Sequence, residues 1–522
     1  MTVRRVFNTT GPCVPELHYM VDTTPLIDEI VARYIAPGHY FTINQARQYG
    51  KTTTLELLRR RLETDHVVIS LSFQGSESMF ASYTTLVKSL SLQIADQLRP
   101  ISPDLTDIMT GPFDPDLSMP ILSQRITQLC ALAGRPVVLL VDEVDAAADH
   151  ETLSSFLGLL RTKYIERTTR KIPTFHSVAL AGVHDIKNLR RRIPPDSAHV
   201  YNSPWNIAVP FTPDLAFGTP EITTMLADYE TDQATGMDVA AVAAALSSAT
   251  GGYPFLVSRL CQIVAETGLP WNATGLQQAV TPLLKETNPL FDDLIKNIEN
   301  NPELDELLSH LLLDGDKLTS NADVPTTKLG LMYGILSGEG NLLRVSNPIF
   351  ETLIYAYLTS SAATKPAVEE YVGRVPTYVA DDRLDMDRVC SRFAQFLHSE
   401  YRDSTAVFVE KEARLLFLSF LTPVINGSGH YSVEAETRGN RRMDVIVFFR
   451  DREYIVELKI WDGQKKEAEA FDQLAAYLHG RHQAEGWLIS FTDQRHNPRA
   501  DRVVKHDGCT IHEITVAYKA TP

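Results

Sequence analysis

Two sets of residues have types and spacings suited to phosphate chemistry. The first begins with Gly50, Lys51, Thr52 and Thr53, which match the end of the phosphate-loop template GxxxxGK[ST], with Gln45 in place of its first glycine. In such a loop, backbone N–H groups surround phosphates, the lysine neutralises their charge, and the hydroxyl after it binds Mg²⁺. The segment therefore predicts a site for ATP and Mg²⁺, with all four residues as cofactor-binding candidates.

About 90 residues further along, two carboxylates follow a continuous apolar run. The run VVLLV (137–141) is typical of a strand buried on both faces, and Asp142 and Glu143 come directly after it. A nucleotide-hydrolysing site needs a strand that delivers one carboxylate to Mg²⁺ and a second one that orients the attacking water. We therefore expect Asp142 to bind the metal and Glu143 to be catalytic.

The second set lies near the end of the chain, in Asp444, Glu457 and Lys459. The runs VIVFF and EYIVELKI predict two antiparallel strands, and a two-residue turn at 451–452 would place Asp444 opposite Lys459, with Glu457 diagonal to it. Strand alternation puts all three on one face. Two carboxylates bind Mg²⁺ or Mn²⁺, and a lysine beside them orients a nucleophile or stabilises developing charge. The pattern predicts phosphodiester cleavage; a solvated surface hairpin is the alternative.

The elements around the first set follow a β-loop-α-β order. The segment HYFTIN (39–44) predicts a strand before the loop, LELLRRRLE a helix after it, and HVVISLSF (66–73) a second strand. A further buried strand is expected at Ser177–Ala181. This order places the loop where a parallel α/β sheet binds phosphates.

The rest of the chain reads as helices, a hairpin and a second α/β region. Residues 219–312 are mostly helical in pattern and are interrupted by GGYP (251–254). A hairpin with its turn at 338–341 follows, then a polar segment at 359–366 that is typical of a linker. A new α/β pattern occupies about 407 to the end.

Composition limits the class of protein. The 522 residues carry a net charge of −16, of which residues 401–522 contribute only −1. This balance argues against a protein that coats nucleic acid over its whole surface, but it allows a local nucleic-acid site in the near-neutral tail. The five cysteines are widely separated and no stretch of 18 apolar residues occurs, so we expect a reduced, cytoplasmic protein with no membrane partner.

Several blocks of the first 358 residues resemble a known group. FTINQARQYGKTT, VVLLVDEVD, LAGVHDIKNLRRR, NSPWNIA and ATGGYPFLVSRLC look like the AAA-ATPase-like (AAA+/STAND-related) proteins of bacteria and archaea, in which RQxGKTT is a habitual loop variant. The resemblance implies that His184 or Asp185 lies near sensor 1, and that GGYP starts a sensor-2-like helix with Arg259 facing phosphate. It makes residues 190–192 (three arginines) candidates for a finger acting in trans, hence in a homo-oligomer.

The tail resembles the PD-(D/E)XK nuclease superfamily, in the version fused behind AAA-ATPase-like domains. The carrying features are the helix EARLLFLSFL, the strand-hairpin segment, a helix with FDQLAAY (471–477) and the strand GWLISF, an αβββαβ order. The resemblance implies a triad of Asp444, Glu457 and Lys459, although Met443 stands where the family name has proline. It further implies that Glu412 is the helix-borne acidic metal ligand. Gln473, together with Tyr477, would form the supporting motif.

The sequence leaves some assignments in the tail open. Glu434 and Glu436 could replace Glu412 in metal binding. Five basic side chains could contact phosphates or form a solvated face: Arg438, Arg441, Arg442, Lys465 and Lys466.

Together these features predict an α/β chain with a P-loop parallel-sheet ATPase core (1–215), a helical lid (216–300), a winged-helix-like region (301–360) suggested by GILSGEGNLLRVSNPIF, a linker and helical connector (361–400), and a restriction-endonuclease-like α/β domain (401–522).

The leading hypothesis is an ATPase that controls a nuclease acting on DNA or RNA, by analogy in prokaryotic defence or mobile-element conflict. A second is a STAND-like switch or nucleic-acid-binding regulator with an inactive nuclease fold. A third is a tail that cleaves constitutively while ATP controls assembly.

Overall fold

A computed structural model describes residues 4–111, 118–147, 150–183, 205–314, 318–321, 323–339, 341–363, 378–380, 382–400, 410–425, 428–435, 443–460, 464–493 and 501–519. The chain divides into two units. Unit 1 comprises Met1–Ala243, Gly252–Gln262 and Met332–Gly334, and unit 2 comprises Ala244–Gly251, Ile263–Leu331 and Ile335–Pro522. No helix in the described part of the chain is long and apolar enough to cross a membrane.

Up to residue 267 the strands and α-helices are β1 (Val6–Phe7), β2 (His18–Tyr19), α1 (Thr24–Ile30), β3 (Tyr40–Asn44), α2 (Lys51–Leu62), β4 (Val67–Ser72), α3 (Tyr83–Leu98), α4 (Pro103–Thr110), α5 (Met119–Leu132), β5 (Val137–Asp142), α6 (Glu151–Arg170), β6 (Ser177–Gly182), α7 (Thr219–Gln233), α8 (Val239–Thr250) and α9 (Pro254–Thr267).

The later elements are α10 (Ala273–Leu284), α11 (Pro289–Glu299), α12 (Pro302–Ser309), α13 (Pro325–Met332), β7 (Leu336–Glu339), β8 (Leu342–Val345), α14 (Pro348–Ala363), β9 (Val379–Ala380), β10 (Arg383–Leu384), α15 (Met386–Glu400), α16 (Glu410–Ile425), β11 (Gly429–Ala435), β12 (Met443–Phe449), β13 (Arg452–Ile460), α17 (Gln464–Gly480), β14 (Glu485–Asp493), β15 (Arg502–His506) and β16 (Cys509–Lys519).

Unit 1 is built on a parallel sheet with strand order β3-β6-β5-β4. Every residue of β5 and β6 is buried, as expected for strands covered on both faces. Val209 adds an isolated parallel bridge to Phe41 on β3. The predicted strands are confirmed, with shifts of one residue at their ends. Because parallel strands share a direction, Asn44, Asp142 and Gly182 lie at the same carboxyl edge of the sheet.

In unit 2, the helices and the β7–β8 hairpin follow the predicted order, with two corrections. Gly338 and Glu339 belong to β7 rather than to the turn, since they pair with Leu343 and Leu342. The linker was predicted to begin at Thr359, but α14 continues to Ala363. Thr359 is only 2% exposed, so burial stabilises helix where the polar composition indicated a linker.

A second sheet in unit 2 has strand order β11-β12-β13-β14-β16-β15. The strands β11, β12 and β13 form antiparallel pairs, β14 pairs in parallel with β13 and β16, and β15 is antiparallel to β16. Helix α16 precedes this sheet and α17 connects β13 to β14. The predicted α-β-β-β-α-β order is therefore present, and β15 and β16 extend it.

The hairpin between β12 and β13 has a register different from the predicted one. Phe449 pairs with Arg452, so the two-residue turn is Arg450-Asp451 and not 451–452. Asp444 consequently lies opposite Glu457 rather than opposite Lys459. Arg450 has a φ of 57°, a conformation that glycine, asparagine and aspartate adopt more readily, which is why the turn was misplaced.

His430 on β11 joins the second sheet to the helices of unit 2. Its ring is 8% exposed and stacks on Phe448 with centroids 4.9 Å apart. The Gln277 side-chain amide donates to Nε2 over 2.9 Å, and Nδ1 lies 2.9 Å from the Thr281 hydroxyl. Burial lowers the pKa of His430 to about 4. The folded protein therefore holds a neutral imidazole, and a proton on Nε2 would face the Gln277 amide donor.

We expect this histidine to make the stability of unit 2 dependent on pH. The folded-state pKa is about 4 and an unfolded histidine titrates near 6.5. The unfolded chain thus binds more protons between these values, and the free energy of unfolding falls as pH drops through that window, by about 3 kcal/mol at pH 4. Urea unfolding of the wild type and His430→Asn from pH 7.5 to 4 measures the difference. Parallel curves for the two proteins would contradict the prediction.

Candidate functional site

The loop between β3 and α2 has a backbone shaped for close approach of a ligand. Gly50, immediately before α2, has a φ of 85°, in the left-handed region where glycine is unstrained. Gln48 has a φ of 53° without that freedom. The first turn of α2 begins at Lys51, so its unpaired N–H groups and the positive end of the helix dipole are directed to the loop.

Lys51 lies inside this loop. Its side chain is 6% exposed, and Nζ donates to the carbonyl oxygens of Gln45 over 2.9 Å and of Ala46 over 2.7 Å. Burial lowers the pKa of Lys51, while Glu143, Asp145 and Asp142 act in the opposite direction. The ammonium is thus held at the loop by backbone carbonyls and faced by acidic residues.

The end of β5 brings two carboxylates to the loop. The Thr52 hydroxyl donates to Asp142 Oδ2 over 2.6 Å, and the Glu143 N–H donates to Asp142 Oδ1 over 2.9 Å. Glu143 has a φ of 52°, and burial, followed by the charges of Asp145 and Asp142, raises its pKa. The structure therefore joins the predicted lysine, threonine and carboxylate pair into one site, and Glu143 is tuned toward accepting a proton.

Asp145 was not among the candidates from the sequence. Its Oδ2 accepts the Val183 N–H over 2.9 Å, and a Cβ added at Gly182 would lie 2.8 Å from its Oδ1. It therefore ties the end of β6 to the segment after β5 and adds negative charge beside Glu143. The run DEVD could have indicated this role, because a third carboxylate close to a buried strand needs hydrogen-bond donors nearby.

The GGYP segment also contacts the loop. Tyr253 donates a hydrogen bond to the carbonyl of Arg47, and its ring meets Tyr49 edge-on at 4.7 Å. Gly252 has a φ of 72°, and a Cβ there would lie 2.2 Å from the carbonyl oxygen of Phe217. The start of α9 at Pro254 confirms the predicted helix. The tyrosine contacts join residues about 200 positions apart, which local patterns do not reveal.

For two predicted cofactor-binding residues, Thr53 and Arg259, the structure shows other contacts or burial, and their role at the nucleotide stays a prediction. The Thr53 hydroxyl accepts the backbone N–H of Cys13 over 3.1 Å. Arg259 is half-buried within α9. The two sensor candidates, His184 and Asp185, and the three arginines at 190–192 lie outside the described residues.

Gln48 offers a test of the loop. Its Oε1 is buried with no hydrogen-bond partner among the described residues, and a left-handed non-glycine residue costs about 1–2 kcal/mol. We expect Gln48→Gly to raise the free energy of unfolding by about 1 kcal/mol and to weaken ATP binding, because the amide is lost. Chemical unfolding and calorimetric titration with ATP measure the two effects.

The matched control is Lys171→Gly, at an exposed left-handed position that ends α6 with a φ of 55°. It should stabilise the protein similarly without changing ATP affinity. Unchanged ATP affinity in Gln48→Gly would exclude a contact between Gln48 and the nucleotide.

The second candidate site lies on β12 and β13. Glu457 is 1% exposed, and Lys459 Nζ lies 3.7 Å from its Oε1. Asp444 occupies the register position opposite Glu457. Gln473 and Tyr477 are half-buried, one turn apart on α17. Burial of a carboxylate in a sheet is costly without cationic partners, so this arrangement fits a charged site better than a solvated hairpin.

Several predicted residues of the tail fall outside the description. Glu436, Arg438, Arg441 and Arg442 lie outside the described residues. Five side chains within described helices and strands are likewise not described: Glu412, Glu434, Asp444, Lys465 and Lys466. Among the side chains that are described, no group of three or more His, Cys, Asp or Glu residues is arranged to hold a metal ion.

Comparison with solved structures finds chains of similar fold at low identity. The Walker-type ATPase of Pyrococcus abyssi is 12% identical with a TM-score of 0.43, covering 67% of this chain and 99% of that one. The ORC2 protein of Aeropyrum pernix in its ADPNP–ADP form is 13% identical with a TM-score of 0.38, covering 68% and 98%. The ORC1 protein of the same organism in complex with DNA is 13% identical with a TM-score of 0.29, covering 65% and 93%. No curated protein matches the chain.

A family model decides the classification of the larger part of the chain. The model described as AAA-like domain matches residues 10–355. That range contains the loop at Lys51, the carboxylates after β5 and the GGYP segment. The chain therefore belongs to the family of proteins with an AAA-like P-loop ATPase domain.

Proposed function

We propose that this protein binds and hydrolyses ATP and thereby controls a C-terminal, Mg²⁺- or Mn²⁺-dependent nuclease that acts on DNA or RNA. The observation that carries the nuclease half is Glu457, a carboxylate buried in a sheet beside Lys459 and opposite Asp444 in the register. The proposal includes the domain division given above, with a winged-helix lid, and a role in prokaryotic defence or mobile-element conflict by analogy.

The residues at the P-loop fit ATP with Mg²⁺. A buried ammonium at the loop, a helix N-terminus and a threonine hydroxyl bonded to a carboxylate match the donors and oxygen ligands that a nucleotide–metal pair requires. When bound, ATP with Mg²⁺ supplies the reactive anhydride and a charge-neutralising cation. Lys51 binds phosphate oxygens, Thr52 and Asp142 hold the cation, and Glu143 accepts a proton from water.

The C-terminal site fits a divalent cation by a charge argument. Like charges directly opposite on neighbouring strands destabilise a sheet, and the register places Asp444 and Glu457 opposite each other. The Lys459 ammonium, 3.7 Å from Glu457, lowers the electrostatic cost of burying that carboxylate. A hard cation with oxygen ligands would be held by the same pair of carboxylates and would reduce their repulsion further. When bound, Mg²⁺ or Mn²⁺ supplies Lewis acidity, and Lys459 orients water or stabilises charge on phosphate.

A second function is favoured by one feature of the same site. The ion pair between Lys459 and Glu457 neutralises the buried carboxylate without a metal. The tail would then be a recognition module of a STAND-like switch or nucleic-acid-binding regulator, in which ATP sets the conformation.

A cleavage panel tests the proposal. Single- and double-stranded DNA and RNA are incubated with the full chain and Mg²⁺ or Mn²⁺, each with ATP, a non-hydrolysable analogue, or no nucleotide. We expect metal-dependent cleavage of at least one substrate that changes with nucleotide. Tight ATP binding without cleavage of any substrate would support the regulator instead. Cleavage equal in all nucleotide conditions would remove ATP control and leave a constitutive nuclease.

A further inference from the structure

An ion-pair network centred on a buried glutamate lies on the face of the C-terminal sheet that α17 covers. Glu513 on β16 is 4% exposed; its Oε1 accepts the Ser490 hydroxyl over 3.2 Å and its Oε2 accepts Arg502 Nε over 2.5 Å. Arg502 also donates to Glu467 on α17. The guanidinium therefore joins a buried carboxylate of the sheet to a carboxylate of the helix.

Glu513 lies in the same row of the sheet as Glu457. Leu488 on β14 pairs with Glu457 on one side and with Glu513 on the other. Neighbouring strands are about 4.8 Å apart, so the two glutamates start roughly 10 Å from each other. Two ligands of one Mg²⁺ each lie about 2.1 Å from the ion. Two glutamate side chains could reach one cation across that backbone separation, but the two Glu513 oxygens are already engaged by Ser490 and Arg502.

The orientation of α17 follows from its contacts on both sides. On the β15 side, Arg502 lies 5.6 Å above the Phe471 ring, and Asp472 accepts from His506 over 2.7 Å. On the β13 side, Arg481, just after the helix, donates to Glu453 over 3.2 Å. Between these edges, apolar residues of α17 such as Leu474 pack on Leu488.

Gln473 and Tyr477 occupy the flank of α17 away from β15. At 100° per residue they lie about 120° and 80° from Glu467, in the direction opposite to Phe471 and Asp472. The strand order β13-β14-β16-β15 then places this flank on the side of β13, where Glu457 and Lys459 lie. Arg481, 5.9 Å from the Tyr477 ring, marks the same side.

We infer that Arg502, Glu513 and Glu467 form a clamp that sets the roll of α17 and so positions Gln473 beside the Glu457–Lys459 site. They are positioning residues for the proposed nuclease reaction, and the inference rests on that proposal. The Arg481–Glu453 pair fixes the other end and edge of the helix. The two ion pairs at diagonal corners add directional contacts to the apolar packing of the helix on the sheet.

The test uses a variant that removes one ion pair of the clamp and leaves no buried charge unpaired. Glu467→Gln removes the ion pair between α17 and Arg502, while Arg502 still neutralises the buried Glu513. The control is Glu469→Gln, at an exposed position of the same helix. We expect Glu467→Gln to lower kcat for nucleic-acid cleavage about tenfold at unchanged KM, because misplacement of a catalytic partner affects the transition state. Added to Gln473→Ala it should lower kcat no further, since the clamp acts through Gln473.

A second variant keeps the test valid if the first one fails to fold. A second measurement, hydrogen exchange, distinguishes failure of the clamp from failure of the proposed nuclease. Arg502→Met/Glu513→Met replaces the ion pair by apolar side chains, which sheets tolerate, and should show the same kcat loss. Hydrogen exchange of 464–480 should accelerate in both variants, with or without cleavage. Unchanged exchange, or kcat losses that multiply with Gln473→Ala, overturns the clamp while the nuclease stands. A wild type that cleaves nothing overturns the nuclease, and the positioning role with it.

Discussion

Replacing Lys51 by alanine is expected to lower the rate of ATP hydrolysis by at least about 100-fold and to weaken ATP binding. The ammonium is the cation that the loop itself supplies to the phosphates, and removing one preorganised charge from such a site costs about 10²–10³ in rate. The substitution also leaves the Gln45 and Ala46 carbonyls without the donor that they share. Steady-state phosphate release and calorimetric titration with ATP measure the two losses.

Two further variants identify the cause of that loss. Lys88→Ala, at an exposed position of α3, removes the same side chain elsewhere in unit 1 and should behave as the wild type. Glu143→Gln keeps the lysine and the metal-binding hydroxyl but removes the proton acceptor, so hydrolysis should fall about 10²–10⁴-fold while ATP binding persists. Wild-type ATP affinity in Lys51→Ala would contradict the assignment of the loop.

The strands and helices that position the nucleotide site were predictable because their signals are local. The continuous apolar runs of β5 and β6 and the helix after Gly50 follow from residue pattern alone. Contacts across long stretches of chain were not predictable. The bond from Tyr253 to Arg47 and the contact of His430 with α10 depend on how distant elements pack. Burial of Thr359 likewise extended α14 into a segment with linker composition.

The C-terminal hairpin shows that an error in strand register can leave the predicted face of each residue correct. The register differs from the predicted one by two residues, because Arg450 and not Arg452 occupies the turn. Side chains alternate with a period of two, so a shift of two changes the cross-strand partner but keeps every residue on its face. A shift of one would have put Asp444 on the face opposite Glu457. The prediction of a shared face for Glu457 and Asp444 therefore survived, whereas the predicted neighbour of Asp444 did not.

The corrected register sharpens the expected result for Glu457. Glu457→Gln preserves the shape of the side chain and removes its charge, so we expect nucleic-acid cleavage to fall by at least about 100-fold through loss of a metal ligand. ATP hydrolysis should be largely unchanged, since its residues lie around Lys51. The same change removes a carboxylate buried opposite another one, so the metal-free protein should unfold at an equal or higher temperature.

Glu453→Gln is the matched control for this result. Glu453 lies on the same strand and the same face, four residues earlier, and is about one third exposed in a pair with Arg481. Because Glu453 holds α17 through Arg481 and is not a proposed metal ligand, its removal should lower cleavage by no more than the roughly tenfold expected for loss of one helix contact, far less than the removal of Glu457. Midpoint temperatures with and without Mn²⁺ add a readout independent of turnover: the metal should stabilise the wild type and the control but not Glu457→Gln. Full cleavage by Glu457→Gln under metal-replete conditions would remove Glu457 from the catalytic site, and equal Mn²⁺ stabilisation of all three proteins would remove the metal from it.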